Sequence, residues 1–91
     1  MQIKCGMIVK SVAGHDKGRF YVVVEIKNNR AFIADGKKRL LKCLKAKNFV
    51  HLKVTNSFVE VEKLNSDRKL RNILHSYNYN ADVLGGENGK R

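Results

Sequence analysis

The side chains with the clearest chemical use in this sequence are basic, and they suit the binding of phosphate. Residues 37–47 read Lys-Lys-Arg-Leu-Leu-Lys-Cys-Leu-Lys-Ala-Lys, and six of these eleven carry a positive charge. Lysine and arginine neutralise phosphates and release counterions, which provides affinity but little sequence information. The segment predicts a phosphate-contacting loop. A solvated charged face, the usual role of a charge run, is the alternative.

A second candidate site is the first turn, Gly14-His15-Asp16-Lys17-Gly18, together with the arginine that follows it. The two glycines can adopt positive φ without a steric cost and Asp16 can accept hydrogen bonds from nearby amides, so the chain reverses tightly here. On one interpretation His15, Lys17 and Arg19 contact a phosphate and a stacked base together, because loops on a rigid scaffold commonly bind ligands. On the other, the glycines only build a turn and the polar side chains are simply exposed.

Residue spacing gives little support to catalysis or metal binding. His15 and Asp16 are neighbours in sequence, and adjacent residues of an extended chain point to opposite faces. No dinucleotide-binding, phosphate-loop, zinc-protease or serine-nucleophile motif is present. Cys5 and Cys43 lack C-x-x-C spacing, which predicts two reduced, packed thiols and neither a zinc framework nor a disulfide. We therefore expect a protein without enzymatic activity, metal or cofactor.

The positive charge is concentrated in one part of the chain. Overall, 19 basic and 8 acidic residues give a net charge of +11, and residues 1–53 hold 13 of the basic and 3 of the acidic ones. Such a patch is typical of proteins that bind a polyanion, most often nucleic acid, although an anionic membrane surface would attract it too. No apolar run approaches the roughly 18 residues of a membrane span, and the first residues do not resemble a signal peptide. We expect a soluble, cytoplasmic protein with no membrane partner.

Three strands are predicted to position the first turn. Met7 to Val12 and Arg19 to Ile26 are rich in branched and aromatic residues. Asn28-Asn29 is typical of a two-residue hairpin turn, which would pair Ile26 with Ala31 and Val24 with Ile33. Alternation assigns one face of the second strand to the core, and that face holds Phe20, Val22, Val24 and Ile26. The opposite, mixed face needs a partial cover or a ligand, and it holds Tyr21, Val23, Glu25 and, from the returning strand, Phe32.

The remaining segments predict a small barrel closed by further strands and covered by a helix. We expect residues 37–47 to be an extended or irregular loop, and residues 48–54 and 58–64 to be strands. Asn65 or Ser66 can cap a helix from Asp67 to Tyr77 that lies across the sheet. Its apolar stripe comprises Leu70, Ile73, Leu74 and Tyr77. The resulting organisation is one small domain, with a barrel at 1–64, a helix at 65–78 and a disordered tail at 79–91.

Residues 14–36 resemble a KOW motif. The match begins with the glycine and basic residues of the first turn and continues through the apolar run to the Ala-Phe-Ile-Ala-Asp-Gly segment at 31–36. Downstream, Asn48 with His51-Leu52 is similar to the Asn-x-x-His-Leu signature of KOW-containing ribosomal proteins of the archaeal and eukaryotic L-fourteen-e type, and of small bacterial relatives. The resemblance covers about residues 6–54. The relatives often carry a Pro-Lys-rich loop before this asparagine, whereas residues 43–47 have no proline.

This resemblance implies an SH3-like β-barrel of about five strands that binds ribosomal RNA and has no catalytic activity. Implied partners are RNA, ribosomal RNA above all, and ribosomal proteins, and we expect a monomer when the protein is free. His51 is interpreted first as a hydrogen-bonded structural residue, and Asn48 as fixing a loop. The candidate RNA-binding residues are Lys10, His15, Lys17, Arg19, Lys37, Lys38, Arg39, Lys42, Lys45, Lys47, Asn48, His51 and Lys53.

The residues leave three alternatives open. An SH3-like barrel can also be a protein-interaction adaptor, whose basic surface would meet an acidic partner and whose mixed face of Tyr21, Val23 and Phe32 would be the contact. Tyr21 and Phe32 could instead stack bases, but packing under the C-terminal helix is favoured for both. DNA is a weaker third ligand, since charge alone does not distinguish the two nucleic acids.

Overall fold

Five antiparallel strands form one sheet in the computed structural model of this protein, which describes residues 2–79. They are β1 (Met7–Ser11), β2 (Phe20–Lys27), β3 (Arg30–Ala34), β4 (Lys45–Asn48) and β5 (Leu52–Phe58). Their order is β4-β3-β2-β1-β5, so β4 and β5 are the edges, and one 3-10 turn at Phe49–His51 joins them. The mainly β fold class is confirmed. The arrangement is consistent with a small barrel, although within residues 2–79 the edge strands do not close the sheet.

The β2–β3 hairpin turns at the two predicted asparagines. Asn28 and Asn29 have φ values of 53° and 62°, the left-handed conformation that a type I′ turn requires at both positions. Ile26 pairs with Ala31 as predicted. The register shifts by one residue between Val23 and Glu25, so Ile33 pairs with Val23, and its predicted pairing with Val24 is wrong. A bulge inserts an extra residue into one strand and changes which side chains share a face.

Both faces of the sheet are buried, and each has its own apolar cluster. We call the face that carries Tyr21 and Val23 the inner face; these two residues pack there with six others, namely Ile3, Met7, Val9, Ala31, Ile33 and Leu52. The outer face carries Val22, which packs with Ile8, Ala34, Leu64, Leu70 and Leu74. Tyr21 is 1% exposed and Val23 is fully buried, so the predicted mixed face is in fact core.

The C-terminal helices cover the outer face. A single helix from Asp67 to Tyr77 was expected, but α1 (Asp67–Ile73) ends before Leu74 and α2 (His75–Tyr79) follows. The predicted cap is confirmed, because Ser66 Oγ accepts a hydrogen bond of 3.1 Å from the Lys69 amide. The prediction that Tyr21 packs under the helix is wrong, since it lies on the inner face. Phe20 takes that place, with its ring centroid 5.3 Å from that of Tyr77.

Two of the predicted strands, at 58–64 and at 48–54, are not found with these bounds in the structure, because the strands they would pair with begin or end elsewhere. Residues 58–64 do not form a strand, because Phe58 already pairs with Met7, the first residue of β1, and the Val59 amide then donates to the Gly6 carbonyl. A 3-10 turn at Val61–Lys63 follows. The predicted strand at 48–54 is replaced by the turn at Phe49–His51 and the first part of β5, because the chain must cross there from one edge strand to the other.

Two further expectations are modified by the structure. The basic segment 37–47 is irregular only up to residue 44, because Lys45 begins β4 and pairs with Ile33 of β3. Cys5 and Cys43 are free, as predicted, but both are exposed, so the expectation that they are packed is wrong. The predicted disordered tail begins at Tyr79, which is the last residue of α2; positions 80–91 lie outside the described residues.

The side chain of Asn78 joins α2 to the sheet, a contact that no sequence pattern predicted. Its Oδ1 accepts from the Phe20 amide at 2.8 Å and its Nδ2 donates to the Phe20 carbonyl at 3.1 Å. Asn78 is 3% exposed. The amide thus pairs with the main chain at the start of β2 as another strand would. Tyr77 adds a hydrogen bond of 2.7 Å from its hydroxyl to Ser57 Oγ.

We predict that Asn78→Ala lowers the free energy of unfolding by about 1–3 kcal/mol, because it leaves the Phe20 amide and carbonyl without their partners. Urea denaturation followed by circular dichroism measures the change. Asn72→Ala is the matched control, since Asn72 is exposed on α1. Equal stabilities for the two variants would contradict a docking role for Asn78.

Candidate functional site

A cleft of about 340 Å³ lies where the first turn meets the segment after β3. Its lining combines residues from four separate segments, and they are His15, Asp16, Arg19, Tyr21, Lys38, Arg39 and Lys45. Five of these seven belong to the predicted RNA-binding residues, all except Asp16 and Tyr21. The fold therefore brings the first turn and the basic segment, which 18 residues (19–36) separate in sequence, into one site.

Asp35 does not line the cleft but supports two of the segments that do. It is 1% exposed and its Oδ2 forms an ion pair with Arg19 Nε. Its Oδ1 accepts hydrogen bonds from the Lys37 amide at 3.0 Å and the Arg39 amide at 2.8 Å. One buried carboxylate thus ties the residue before β2 to the turn that carries Lys38. In the sequence, Asp35 stood out only as part of the Ala-Phe-Ile-Ala-Asp-Gly segment of the KOW resemblance.

Helix α1 holds the next part of this segment, the 36–41 loop. Gly36 has a φ of 79°, and a Cβ at this position would lie 2.2 Å from the Asp67 carbonyl oxygen, so only glycine allows this approach. The Gly36 carbonyl accepts from Arg71 Nη1 at 3.2 Å, and Asp67 Oδ1 accepts from the Leu41 amide at 2.7 Å. Because both ends of the loop are bonded to α1, the helix determines where Lys38 and Arg39 lie.

Asp16 lines the cleft where the first turn borders it. Its Oδ1 accepts from Ser11 Oγ and from Lys47 Nζ, both at 2.8 Å. Lys47 Nζ also donates to the Ala13 carbonyl at 2.9 Å, so this lysine connects edge strand β4 to the first turn. The Tyr21 hydroxyl lies 3.4 Å from Asp16 Oδ2. These contacts fix the first turn against the sheet.

The same contacts set the ionisation of Asp16 and Tyr21. Burial opposes the ionisation of Asp16, but hydrogen bonds from Lys47 and Ser11 and the charges of Lys47 and Lys45 outweigh it and hold its pKa below the usual value. The pKa of Tyr21 is raised far above its ordinary value, first by burial and then by the charges of Asp16 and Asp35. At neutral pH the cleft therefore contains an ionised Asp16 carboxylate and a neutral Tyr21 hydroxyl.

The positive charges of the cleft differ in availability. Within residues 2–79, the side chains of Lys38 and Arg39 form no hydrogen bond or ion pair, and Lys38 is exposed while Arg39 is half-buried. Lys45 Nζ is 3.7 Å from Asp16 Oδ2. Arg19 is occupied by Asp35 and is 8% exposed. The cleft thus presents Lys38, Arg39 and Lys45 to an anion, while Arg19 contributes its charge from behind.

The other predicted residues lie outside the cleft. Lys10 and Lys53 pair across β1 and β5 on the outer face, where Lys10 Nζ lies 5.8 Å from the centroid of the Phe20 ring. Lys47 is 8% exposed and is used internally by Asp16. Lys17, Lys37 and Lys42 are exposed on the two segments that line the cleft. Asn48 and His51 are exposed at the turn between β4 and β5.

Two structural roles that were expected for that turn are not found there. Asn48 precedes the 3-10 turn but makes no side-chain capping bond. His51 contributes its main chain, since its carbonyl accepts from the Val12 amide at 2.9 Å, and its side chain is exposed.

Most of the apolar surface expected for a protein partner lies inside this fold. Of its three residues, Tyr21 and Val23 are buried in the inner cluster and Phe32 is half-buried. Base stacking on the Tyr21 ring is excluded for the same reason. In the part of the chain that the structure describes, His15 is the one exposed aromatic side chain that lines the cleft.

Among known proteins, no family model matches this chain and no curated sequence matches it significantly. The KOW resemblance therefore stays a prediction from the residues themselves. Within residues 2–79, no group of three or more His, Cys, Asp or Glu side chains is placed to hold a metal ion. No helix in that range combines the length and the apolar character needed to cross a bilayer.

We predict that Asp16→Asn changes how the stability of the folded protein decreases at acid pH. A carboxylate whose pKa is lowered by folding stabilises the protein above its unfolded pKa of about 3.9, and this contribution is lost as the pH falls through the folded pKa. The variant should lose about 1–3 kcal/mol at pH 7, because Lys47 is left with a weaker partner, and it should lose less on acidification than the wild type. Melting temperatures between pH 7 and pH 2 measure both effects.

Glu62→Gln is the control, since Glu62 is an exposed carboxylate in the turn at Val61–Lys63. If the melting temperature of Asp16→Asn decreased with pH in parallel with that of the wild type down to pH 2, the network around Asp16 would contribute nothing to the acid sensitivity of the protein.

Proposed function

We propose that this chain is a non-catalytic RNA-binding protein and that its target is ribosomal RNA or the ribosome. The observation that carries the proposal is the convergence of the first turn and the 36–41 loop on one cleft. A charged segment that is merely solvated does not need to be held in a fixed position, whereas the 36–41 loop is held by the buried Asp35 carboxylate and by α1. The main chain of Arg39 is held by Asp35 and Gly36, while the side chains of Lys38 and Arg39 form no hydrogen bond or ion pair with any other residue in the range 2–79.

The charge distribution supports a phosphate ligand. The cleft contains four cationic side chains and one carboxylate. Lys47 largely balances the charge of that carboxylate and Asp35 balances that of Arg19, so the cations that remain for a ligand are Lys38, Arg39 and Lys45. Lys17, Lys37 and Lys42 extend the positive surface along the same two segments. Phosphate groups of a nucleic-acid backbone match this arrangement, because several contacts form at once and each releases counterions.

The resemblance to KOW-containing ribosomal proteins supports RNA over other polyanions. The five-stranded antiparallel sheet with its C-terminal helices is compatible with the barrel that the resemblance implies. On this proposal Gly14 and Gly18 shape the first turn, while His15 and Lys38 supply contacts. Arg19 and Lys47, which were expected to contact RNA, instead hold the site together through Asp35 and Asp16.

We predict that Lys38→Ala combined with Arg39→Ala weakens binding to purified ribosomal RNA at least tenfold at 0.1 M salt. The slope of log affinity against log salt should become shallower by about 1.5, because each lost phosphate contact contributes roughly 0.7 to 0.9. Filter binding over a range of salt concentrations measures both quantities.

The matched control combines Lys27→Ala with Arg30→Ala. Both residues are exposed beside the Asn28-Asn29 turn of the β2–β3 hairpin, and neither lines the cleft. Their substitution removes one lysine and one arginine, and so the same net charge as the test variant. We expect an effect below about threefold for the control. Equal losses in the two variants would indicate attraction to the overall charge with no role for the cleft, and a flat salt response of the wild type would overturn RNA binding through phosphates.

A further inference from the structure

The cleft is not uniformly cationic, because a carboxylate lies among its basic residues. A site built only for phosphate gains nothing from an anion, which repels the ligand. Asp16 Oδ1 is already bonded to Ser11 and Lys47, both at 2.8 Å. A structural role alone would account for that oxygen.

The second carboxylate oxygen is used much less. Among the described residues 2–79, Asp16 Oδ2 has two contacts, the Tyr21 hydroxyl at 3.4 Å and Lys45 Nζ at 3.7 Å, and both partners line the cleft. Both distances exceed the 2.5–3.2 Å of a normal hydrogen bond. Asp16 Oδ2 therefore has capacity for a further donor from a molecule in the cleft, and the Tyr21 hydroxyl beside it offers a second polar group.

The size of the cleft limits what can enter. A volume of about 340 Å³ is near the lower end of small-ligand pockets, which hold roughly 300–1,000 Å³. A double helix is recognised instead across its grooves, over many base pairs. An RNA that fills this cleft must present a nucleotide that is not base-paired.

We propose that the cleft holds one unpaired ribonucleotide, with its phosphate at Lys38 and Arg39 and its ribose 2′-hydroxyl donating to Asp16 Oδ2. This inference rests on the RNA-binding function proposed above and makes it more specific. The 2′-hydroxyl is a neutral donor that a carboxylate accepts well, and it is the group that distinguishes RNA from DNA. His15, the exposed aromatic group of the cleft, is placed to stack on the base.

Chemically altered ligands test the proposal on the unchanged protein. Fluorescence anisotropy is measured with three labelled single-stranded uridine oligonucleotides of equal length, one with ribose, one with 2′-deoxyribose and one with 2′-O-methylribose. A fourth ligand is a fully paired RNA duplex. The ribose strand should bind roughly tenfold more tightly than the two modified strands, since both lack the 2′ donor, and more tightly than the duplex.

Each other outcome has a distinct meaning. Equal binding of the ribose and deoxyribose strands would overturn the 2′-hydroxyl contact and leave nucleic-acid binding intact. Equal binding of the ribose and 2′-O-methyl strands would show that sugar conformation, and no hydrogen bond to Asp16, causes any preference. A duplex that binds as well as the single strand would overturn the unpaired nucleotide. Failure to bind any RNA would overturn the proposed function itself.

A variant adds a second measurement. Asp16→Asn should reduce the preference for ribose over deoxyribose to within about twofold, because a neutral amide is a weaker acceptor than a carboxylate. Glu25→Gln is the control; Glu25 is exposed on β2 and does not line the cleft. An Asp16→Asn protein that is folded by circular dichroism and keeps the full preference would contradict the proposal, and the ligand series decides the matter if that variant does not fold.

Discussion

The buried ion pair between Arg19 and Asp35 is the interaction on which the candidate site depends most. Both charges are nearly excluded from water, and burial of an ion is costly unless its partner and additional hydrogen bonds compensate it. Asp35 meets this condition with two main-chain amides from the segment that follows it. The start of β2 and the turn after β3 therefore form one unit, and loss of either charge would leave the other buried without its partner.

Sequence patterns predicted the local structure well where it depends on nearby residues. The Asn28-Asn29 turn and the Ser66 cap follow from the conformational preferences of those residues, and both are confirmed. The patterns could not distinguish a core face of β2 from a solvated one, because both of its faces are buried. Val22 lies under the helices on the outer face, and Val23 lies in the inner-face cluster. Alternation is informative only when one face is solvated. The bulge at Val24 and the strand ends depend on pairing partners that local patterns do not reveal.

In the candidate site, too, the features that depend on nearby residues were predicted, and those that depend on distant partners were not. Composition identified the basic segments, and five of the seven cleft residues were among those predicted. What composition could not reveal is that Arg19 and Lys47 are neutralised by Asp35 and Asp16, since these pairs join residues 16 and 31 positions apart. In a protein with many positive charges, the few carboxylates decide which cations stay available to a ligand.

The hydrogen bonds between Asn78 and the Phe20 main chain have a consequence for the order in which the molecule is completed. They join residues separated by 58 positions, so the start of β2 lacks these partners until nearly the whole described chain has been synthesised. Contacts of such long sequence separation form late, because closing a long loop costs entropy before the contact is gained. Phe20 directly follows Arg19. In a nascent chain that has formed its hairpin but has not yet docked α2, the main chain beside this cleft residue therefore still lacks two of its hydrogen bonds.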